Sequence, residues 1–494
     1  MVHQQQIKIA VEGGLSKEEM LQSASKQSLV YDANYLEMGV YVDPLKLPTT
    51  VDEAGKAASV DSSSKKTAHL VCKGTWTHAA YHLTSATAGP PLLSLPFAMA
   101  ALGWGPGILA LSLGAIVSYY SCFSLSKAMQ HMELQGKRSF RFCDLSQHIL
   151  GSSWTTYVIA PLQLSVCFMV VIGGTLLGGQ TMKEMYYTYN ENGTLELYEF
   201  IVVFGMLVLL LSQIPTMHSL RHFNMVSILL CFGYSLCAFI GSLIAGFSEI
   251  PPARDYKVLG TEMTKTFGIF TAICVMVTSY SNPLVVEIQA SLAEPVGKKM
   301  VRGLSVCYGV AVATFIPVAV AGYWAFGNKA NGVILLNLFE PKQFCLIPRW
   351  LYFSGNGCAC VQLVVYTVLH LHPTFERLEV MAVDVKQGKF SKRNFIARLL
   401  TRSFFVVLST LLAAMLPFFV EFSAFMGAVG FTPICLFLPL LFYNIIFKPS
   451  FKTFTFWINY LIMSCAFVIM LLGGISSMHN IISQATTYRL FANV

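Results

Sequence analysis

The sequence predicts an all-α, polytopic membrane protein of about eleven spans, arranged as two five-helix repeats of inverted topology plus one extra helix. Three observations carry this. Hydrophobic types make up 55 % of the 494 residues and charged types only 12 %, about half the charge of a soluble domain. The apolar residues fall in blocks of roughly twenty, the length a helix needs to cross about 30 Å of hydrocarbon. The first and the sixth block are both interrupted by proline within a polar patch.

Helices follow from the first two. The alternating decapeptides of a membrane β-barrel are absent, so the backbone must be satisfied within each span. Residues 1–74 are polar, rich in Ser and Lys and without periodicity, and are expected to form a disordered cytosolic tail. Spans are placed at 80–101, 105–127, 154–182, 200–216, 223–247, 265–289, 301–326, 350–372, 403–420, 424–447 and 454–478. The transporter domain would occupy 75–480, leaving 481–494 as a short extracellular tail. No charged segment followed by a short apolar run and a cleavage site opens the chain, so no cleaved signal peptide is expected.

Orientation follows from the basic residues. With the amino terminus in the cytosol, 25 of the 33 Lys and Arg lie inside and eight outside; without the tail the split is 17 to eight. That asymmetry predicts N-in, C-out. It also explains the net charge of +8 as a topogenic signal, with the lipid bilayer as partner and no call for nucleic acid. The sequon Asn192-Gly193-Thr194 falls in a loop placed outside, which makes Asn192 a glycosylation candidate. Most of the 13 cysteines lie within apolar spans, where a thiol packs as a small hydrophobe.

Function is suggested by the two interrupted spans. The first reads Thr84-Ser85-Ala86-Thr87-Ala88-Gly89-Pro90-Pro91-Leu92, the sixth Thr278-Ser279-Tyr280-Ser281-Asn282-Pro283. Proline removes a donor and clashes with the carbonyl four residues back, and the freed groups are tolerated in a bilayer only where they line a cavity. Breaks at corresponding positions of two inverted repeats are where many secondary carriers bind substrate. Half-helix N-termini suit a carboxylate and exposed carbonyls a cation, so a small zwitterion is the expected substrate. The contacts are placed on Thr87, Ala88, Gly89, Pro90 and Leu92 and on Thr278, Ser279, Tyr280, Ser281 and Asn282. Kinked but continuous helices are the plainer alternative.

Glu287 is the acidic residue placed within an apolar span, and a buried charge there faces a pathway or a partner. It is the candidate for proton coupling; a carboxylate anchored to neighbouring backbone is the alternative. Ser85, Thr87 and Thr367 offer hard oxygen ligands for sodium, though helix-to-helix hydrogen bonds explain them as well. His78 and His82 are spaced for a metal, but no partner follows at matching spacing; these two, and His370 and His372, read as interfacial side chains. No metal site is expected. No Walker loop, zinc-protease motif, nucleophile elbow or dinucleotide fingerprint occurs, so neither an enzyme nor an ATP-driven pump is indicated, and no cofactor is called for. A receptor or channel would keep the spans without an alternating cavity.

The strings Gly74-Thr75-Trp76, Pro91-Leu92-Leu93-Ser94-Leu95-Pro96-Phe97-Ala98, Leu177-Gly178-Gly179-Gln180, Ser219-Leu220-Arg221, Glu287-Ile288-Gln289-Ala290, Gly322-Tyr323-Trp324-Ala325-Phe326-Gly327, Ala414-Met415-Leu416-Pro417-Phe418-Phe419 and the terminal Tyr488-Arg489-Leu490-Phe491-Ala492-Asn493-Val494 resemble, in that order, the amino acid/auxin permease family, most closely its plant GABA-transporter branch. The resemblance runs from Gly74 to the terminus. It implies a LeuT-like inverted-repeat core of ten spans plus an eleventh. It also implies symport of GABA or neutral amino acids at the plant plasma membrane, powered by the proton gradient. The branch pattern differs at Gly89-Pro90-Pro91 and at Ser281-Asn282-Pro283, where selectivity is decided, so a proline/betaine or broad neutral amino acid permease is the alternative substrate class.

Overall fold

A computed structural model describes residues 74–137, 139–190, 193–213, 221–248, 252, 254–258, 260–338, 347–382, 392–416 and 418–485. The tail before residue 74, Asn192 and the terminal residues 486–494 lie outside them. Among the described residues nine helices are long and apolar enough to cross a membrane, and two shorter apolar ones, Pro91–Leu102 and Leu197–Ser212, accompany them. Together these match the eleven apolar blocks.

The first span consists of α1 (Trp76–Thr87), a short tight turn at Pro90–Ser94, and α2 (Leu95–Leu102). Thr75 caps α1 reciprocally with His78: its side chain accepts from the His78 N–H, and His78 Nδ1 accepts from the Thr75 N–H at 2.9 Å. His78 therefore serves the helix start. The second span is α3 (Trp104–Leu134); α4 (Phe142–Leu150) is a short amphipathic helix, and α5 (Ala160–Tyr189) the third span. Then follow α6 (Leu197–Ser212), α7 (Arg221–Gly246), and the sixth span as α8 (Glu262–Tyr280) and α9 (Val285–Ala290). The chain continues through α10 (Val296–Phe326), α11 (Arg349–Ala382), α12 (Lys392–Met415), the tenth span from α13 (Phe419–Phe425) to α14 (Leu438–Phe447), and the eleventh from α15 (Phe454–Val468) to α16 (Gly474–Ala485).

Burial separates core from periphery. The sixth span is 83 % buried over its most apolar window, whereas the ninth is 17 %; the latter faces lipid with side chains such as Phe404, Val407 and Leu411. The halves of the two broken spans pair end to end, α1 against α9 and α2 against α8, with α10 packed on both halves of the first span. At the entry, Gly74 forms a parallel bridge with Leu292, and the Ala293 N–H donates to the Gly74 carbonyl at 2.9 Å. Only glycine permits this approach, because a Cβ at residue 74 would lie 2.5 Å from the Ser291 carbonyl oxygen. The eleventh span docks on α8 through Ser476, which meets Thr271 at 3.0 Å and donates to the Phe267 carbonyl at 2.7 Å.

Three sequence expectations are corrected. The ninth span begins at Lys392 and ends at Met415, earlier than 403–420: the apolar window undercounts its basic first turns. The eighth agrees with 350–372 as an apolar span, Arg349–His372, while its helix runs on to Ala382. His370 and His372, expected as interfacial side chains, are instead buried in the bundle, 0 % and 3 % exposed. Glu287 is also not alone on a span: Glu184 lies on α5, where it accepts from Tyr352 Oη at 2.9 Å, and Glu421 on α13. The described cysteines are free thiols, and most are buried in the bundle.

Candidate functional site

The site forms where both broken spans open their backbones side by side. In the first, α1 ends at Thr87; Gly89 is extended, and the turn at Pro90–Ser94 redirects the chain into α2. In the sixth, α8 ends at Tyr280, Ser281 is extended, and α9 resumes at Val285. Asn282 joins them. Its Nδ2 donates to Thr87 Oγ1 at 3.0 Å and to the Leu83 carbonyl at 3.2 Å, while its Oδ1 accepts the Leu284 N–H at 3.0 Å. One amide thus closes the turn of one break and anchors it to the other.

The carbonyls freed at both breaks are met by side chains from other spans. The Ala88 carbonyl accepts from Tyr234 Oη of α7 and from Gln362 Nε2 of α11, both at 3.4 Å. The Tyr280 carbonyl accepts from Tyr308 Oη of α10 at 3.1 Å. Buried polar groups without such partners are costly, so these three residues hold the breaks open. Tyr366 of α11 covers Gly89: a Cβ there would lie 2.7 Å from Tyr366 Cε2. At the N-cap of α2, Ser94 Oγ is fully buried and has no hydrogen-bond partner among the described residues.

Of the residues singled out from sequence, Thr87, Ala88, Gly89 and Asn282 come together. Pro90 lies in the short turn, and Leu92 is fully buried there. Ser281 sits beside Cys435 of the tenth span. The others turn elsewhere. Thr278 Oγ1 donates to the Cys274 and Ser423 carbonyls at 3.0 and 2.9 Å, and Ser279 Oγ to Val275 of its own helix at 2.9 Å. The Tyr280 ring packs between Gly114 of α3 and Phe315 of α10. The three hydroxyls considered for sodium each meet a different neighbour: Ser85 donates to Ser227 of α7 at 3.0 Å, Thr87 accepts from Asn282, and Thr367 lies against Gly174 of α5.

Glu287 stands on α9, the second half of the sixth span. Its Oε1 accepts from the Phe142 N–H, at the start of α4, and from Gln163 Nε2 of α5, each at 3.1 Å. Charge favours that geometry, because a helix N-terminus stabilises a carboxylate. Tyr234, Tyr308, Gln362, Tyr366 and Ser94 escape a sequence reading: each is a single residue in an apolar run, and only packing shows its neighbour. Gln362, an amide in mid-span, is the one whose type gave a signal.

The family model described as transmembrane amino acid transporter protein matches residues 72–483. GABA transporter 1 of Arabidopsis thaliana is 44 % identical over 426 residues, covering 86 % of this chain and 94 % of the relative. Lysine histidine transporter-like 1 of the same plant is 28 % identical over 468 residues, covering 93 % and 100 %. Among solved structures, that of MhsT in complex with L-phenylalanine superposes with a TM-score of 0.56 at 11 % identity, over 82 % of this chain and 99 % of the other. This likeness establishes a shared fold, the inverted-repeat fold expected from the paired breaks.

Proposed function

The chain belongs to the transmembrane amino acid transporter family, a transporter and not an enzyme, and from that premise we propose that it is a proton-coupled symporter carrying GABA or small neutral amino acids into the cell. The observation that supports this best is Asn282, which joins two helix breaks in the bundle interior. A carrier that alternates its access needs such a point, where both repeats meet the substrate.

In this reading the substrate carboxylate lies at the first break, where α2 presents its N-terminus and the buried Ser94 hydroxyl. The amine lies toward the carbonyls near the second break. Glu287 is the acid that answers the proton: ionised, it holds α9 to α4 and α5 through two donors, and protonation weakens both bonds. Substrate and proton then act on the same broken span. The protein sits in the plasma membrane, amino terminus in the cytosol and carboxyl terminus outside.

Uptake of labelled GABA and proline by cells expressing the chain tests this, with unlabelled GABA, proline, betaine and neutral amino acids as competitors. Expected is saturable uptake that collapses with a protonophore and survives replacement of sodium. Uptake that follows sodium and ignores the proton gradient would remove the coupling ion, and no transport of any amino or ω-amino acid would remove the substrate class.

A further inference from the structure

The eighth span carries buried polar side chains that the site leaves unused. Gln362, Tyr366, His370 and Thr374 recur every four residues, so they stack on one face of α11 over about 18 Å. The row begins at the first break, where Gln362 donates to the Ala88 carbonyl and Tyr366 covers Gly89. It ends at Thr374, which lies beside the Cys167 thiol of α5, one turn from Gln163, whose Nε2 donates to Glu287 Oε1 at 3.1 Å.

His370 occupies the middle. Its Nδ1 is 2.9 Å from the Tyr366 carbonyl. A carbonyl only accepts, so Nδ1 carries the hydrogen and the neutral ring keeps a lone pair on Nε2. That nitrogen is fully buried and has no hydrogen-bond partner among the described residues, and the same holds for Gln362 Oε1, Thr367 Oγ1, His372 Nε2 and Thr374 Oγ1, of which His372 lies off the row. Buried polar atoms are nearly always paired. Five left over within a few turns of one helix mark a path for something polar.

We propose that His370 is a proton-relay residue between Glu287 and the first break, with Nε2 as its proton-accepting atom. The proposal rests on the proton-coupled reading above. In the forward step a bond forms between Nε2 and a proton delivered from the Glu287 side by hydronium, leaving water; the ring becomes imidazolium. Nδ1–H keeps its bond to the Tyr366 carbonyl, and the positive ring lies with its centroid 4.4 Å from that of Tyr366, within cation–π range. Because Tyr366 also rests on Gly89, the charge state is felt at the break. Release of the Nε2 proton resets the ring.

Among the described side chains the titratable groups on the packed elements are Cys167, Lys183, Glu184, Tyr186, Tyr187 and Tyr189 of α5, Cys231, Tyr234 and Cys237 of α7, Tyr198 and Glu199 of α6, His78, Tyr81 and His82 of α1, and Lys392, Arg393, Arg398 and Arg402 of α12. Arg402 lies within electrostatic reach of His372. Tyr366 stacks directly on His370.

The test uses the full chain in liposomes, with labelled GABA and labelled proline run in parallel. Accumulation driven by an imposed pH gradient is compared with substrate exchange at equal pH on both sides. Wild type must accumulate in a gradient-dependent way; if it does not, the parent reading fails first. His370→Gln should lose about tenfold in driven accumulation, a usual size for coupling between two sites, while exchange stays within about twofold. Thr374→Val, which interrupts the row without touching the imidazole, should show the same split and serves if His370→Gln does not reconstitute. His372→Gln should retain the wild-type ratio. An unchanged pH profile in His370→Gln, a parallel fall of accumulation and exchange, or the same split in His372→Gln would overturn the assignment.

Discussion

Asn282 Nδ2 donates to Thr87 Oγ1 across 3.0 Å, from the break of the sixth span to that of the first. Neither residue is more than 4 % exposed. Asn282→Ala removes two donated bonds and one accepted bond from a buried site, worth about 2–3 kcal/mol together, whereas Thr87→Val removes one, about 1 kcal/mol. In a double-mutant cycle read by thermal unfolding in detergent, the pair should couple by about 1 kcal/mol. Additive losses would mean that the two breaks do not act through this bond.

Gly89→Ala places a methyl group inside the contact distance of Tyr366. The ring must move, at about 1–3 kcal/mol for overpacking. Melting temperature should fall and uptake with it. Adding Tyr366→Leu should restore the melting temperature but not the uptake, because the space is relieved while the cover over the break is lost.

The Ala88 carbonyl has two donors, so it tolerates the loss of one. Tyr234→Phe and Gln362→Leu should each cost less than about 1 kcal/mol, and together about 2 kcal/mol, when the carbonyl is left unpaired. Thermal melts of the three variants, with surface labelling to normalise uptake, check this.

Glu287→Gln keeps an oxygen for the Phe142 and Gln163 donors but cannot ionise. Surface level should hold while the response of uptake to external pH disappears. Glu287→Ala, lacking the acceptor, should lower the surface level as well. A Gln variant with the wild-type pH response would reduce Glu287 to an anchor between α9 and α4.

Much of the architecture was legible because proline and glycine are conspicuous inside apolar blocks, and block length measures the bilayer. The two breaks were readable for that reason. The direction of each side chain around them was not: Thr278, Ser279 and Tyr280 look like one polar patch in sequence, yet they face the tenth span, their own helix and the seventh span. Tyr234 and Tyr308 could not be chosen from sequence, since an isolated tyrosine in a transmembrane run reveals no partner. The burial of His370 was hidden in the same way, since a histidine near the end of a span shows no neighbour until the helices pack.

The bridge between Gly74 and Leu292 gives the two broken spans a common hinge at one end. The entry of α1 and the exit of α9 are strapped together by the bond from Ala293 to Gly74, so a pull on either is shared by both. Force on the entry of α1 is thereby carried directly to α9, the half-helix that bears Glu287.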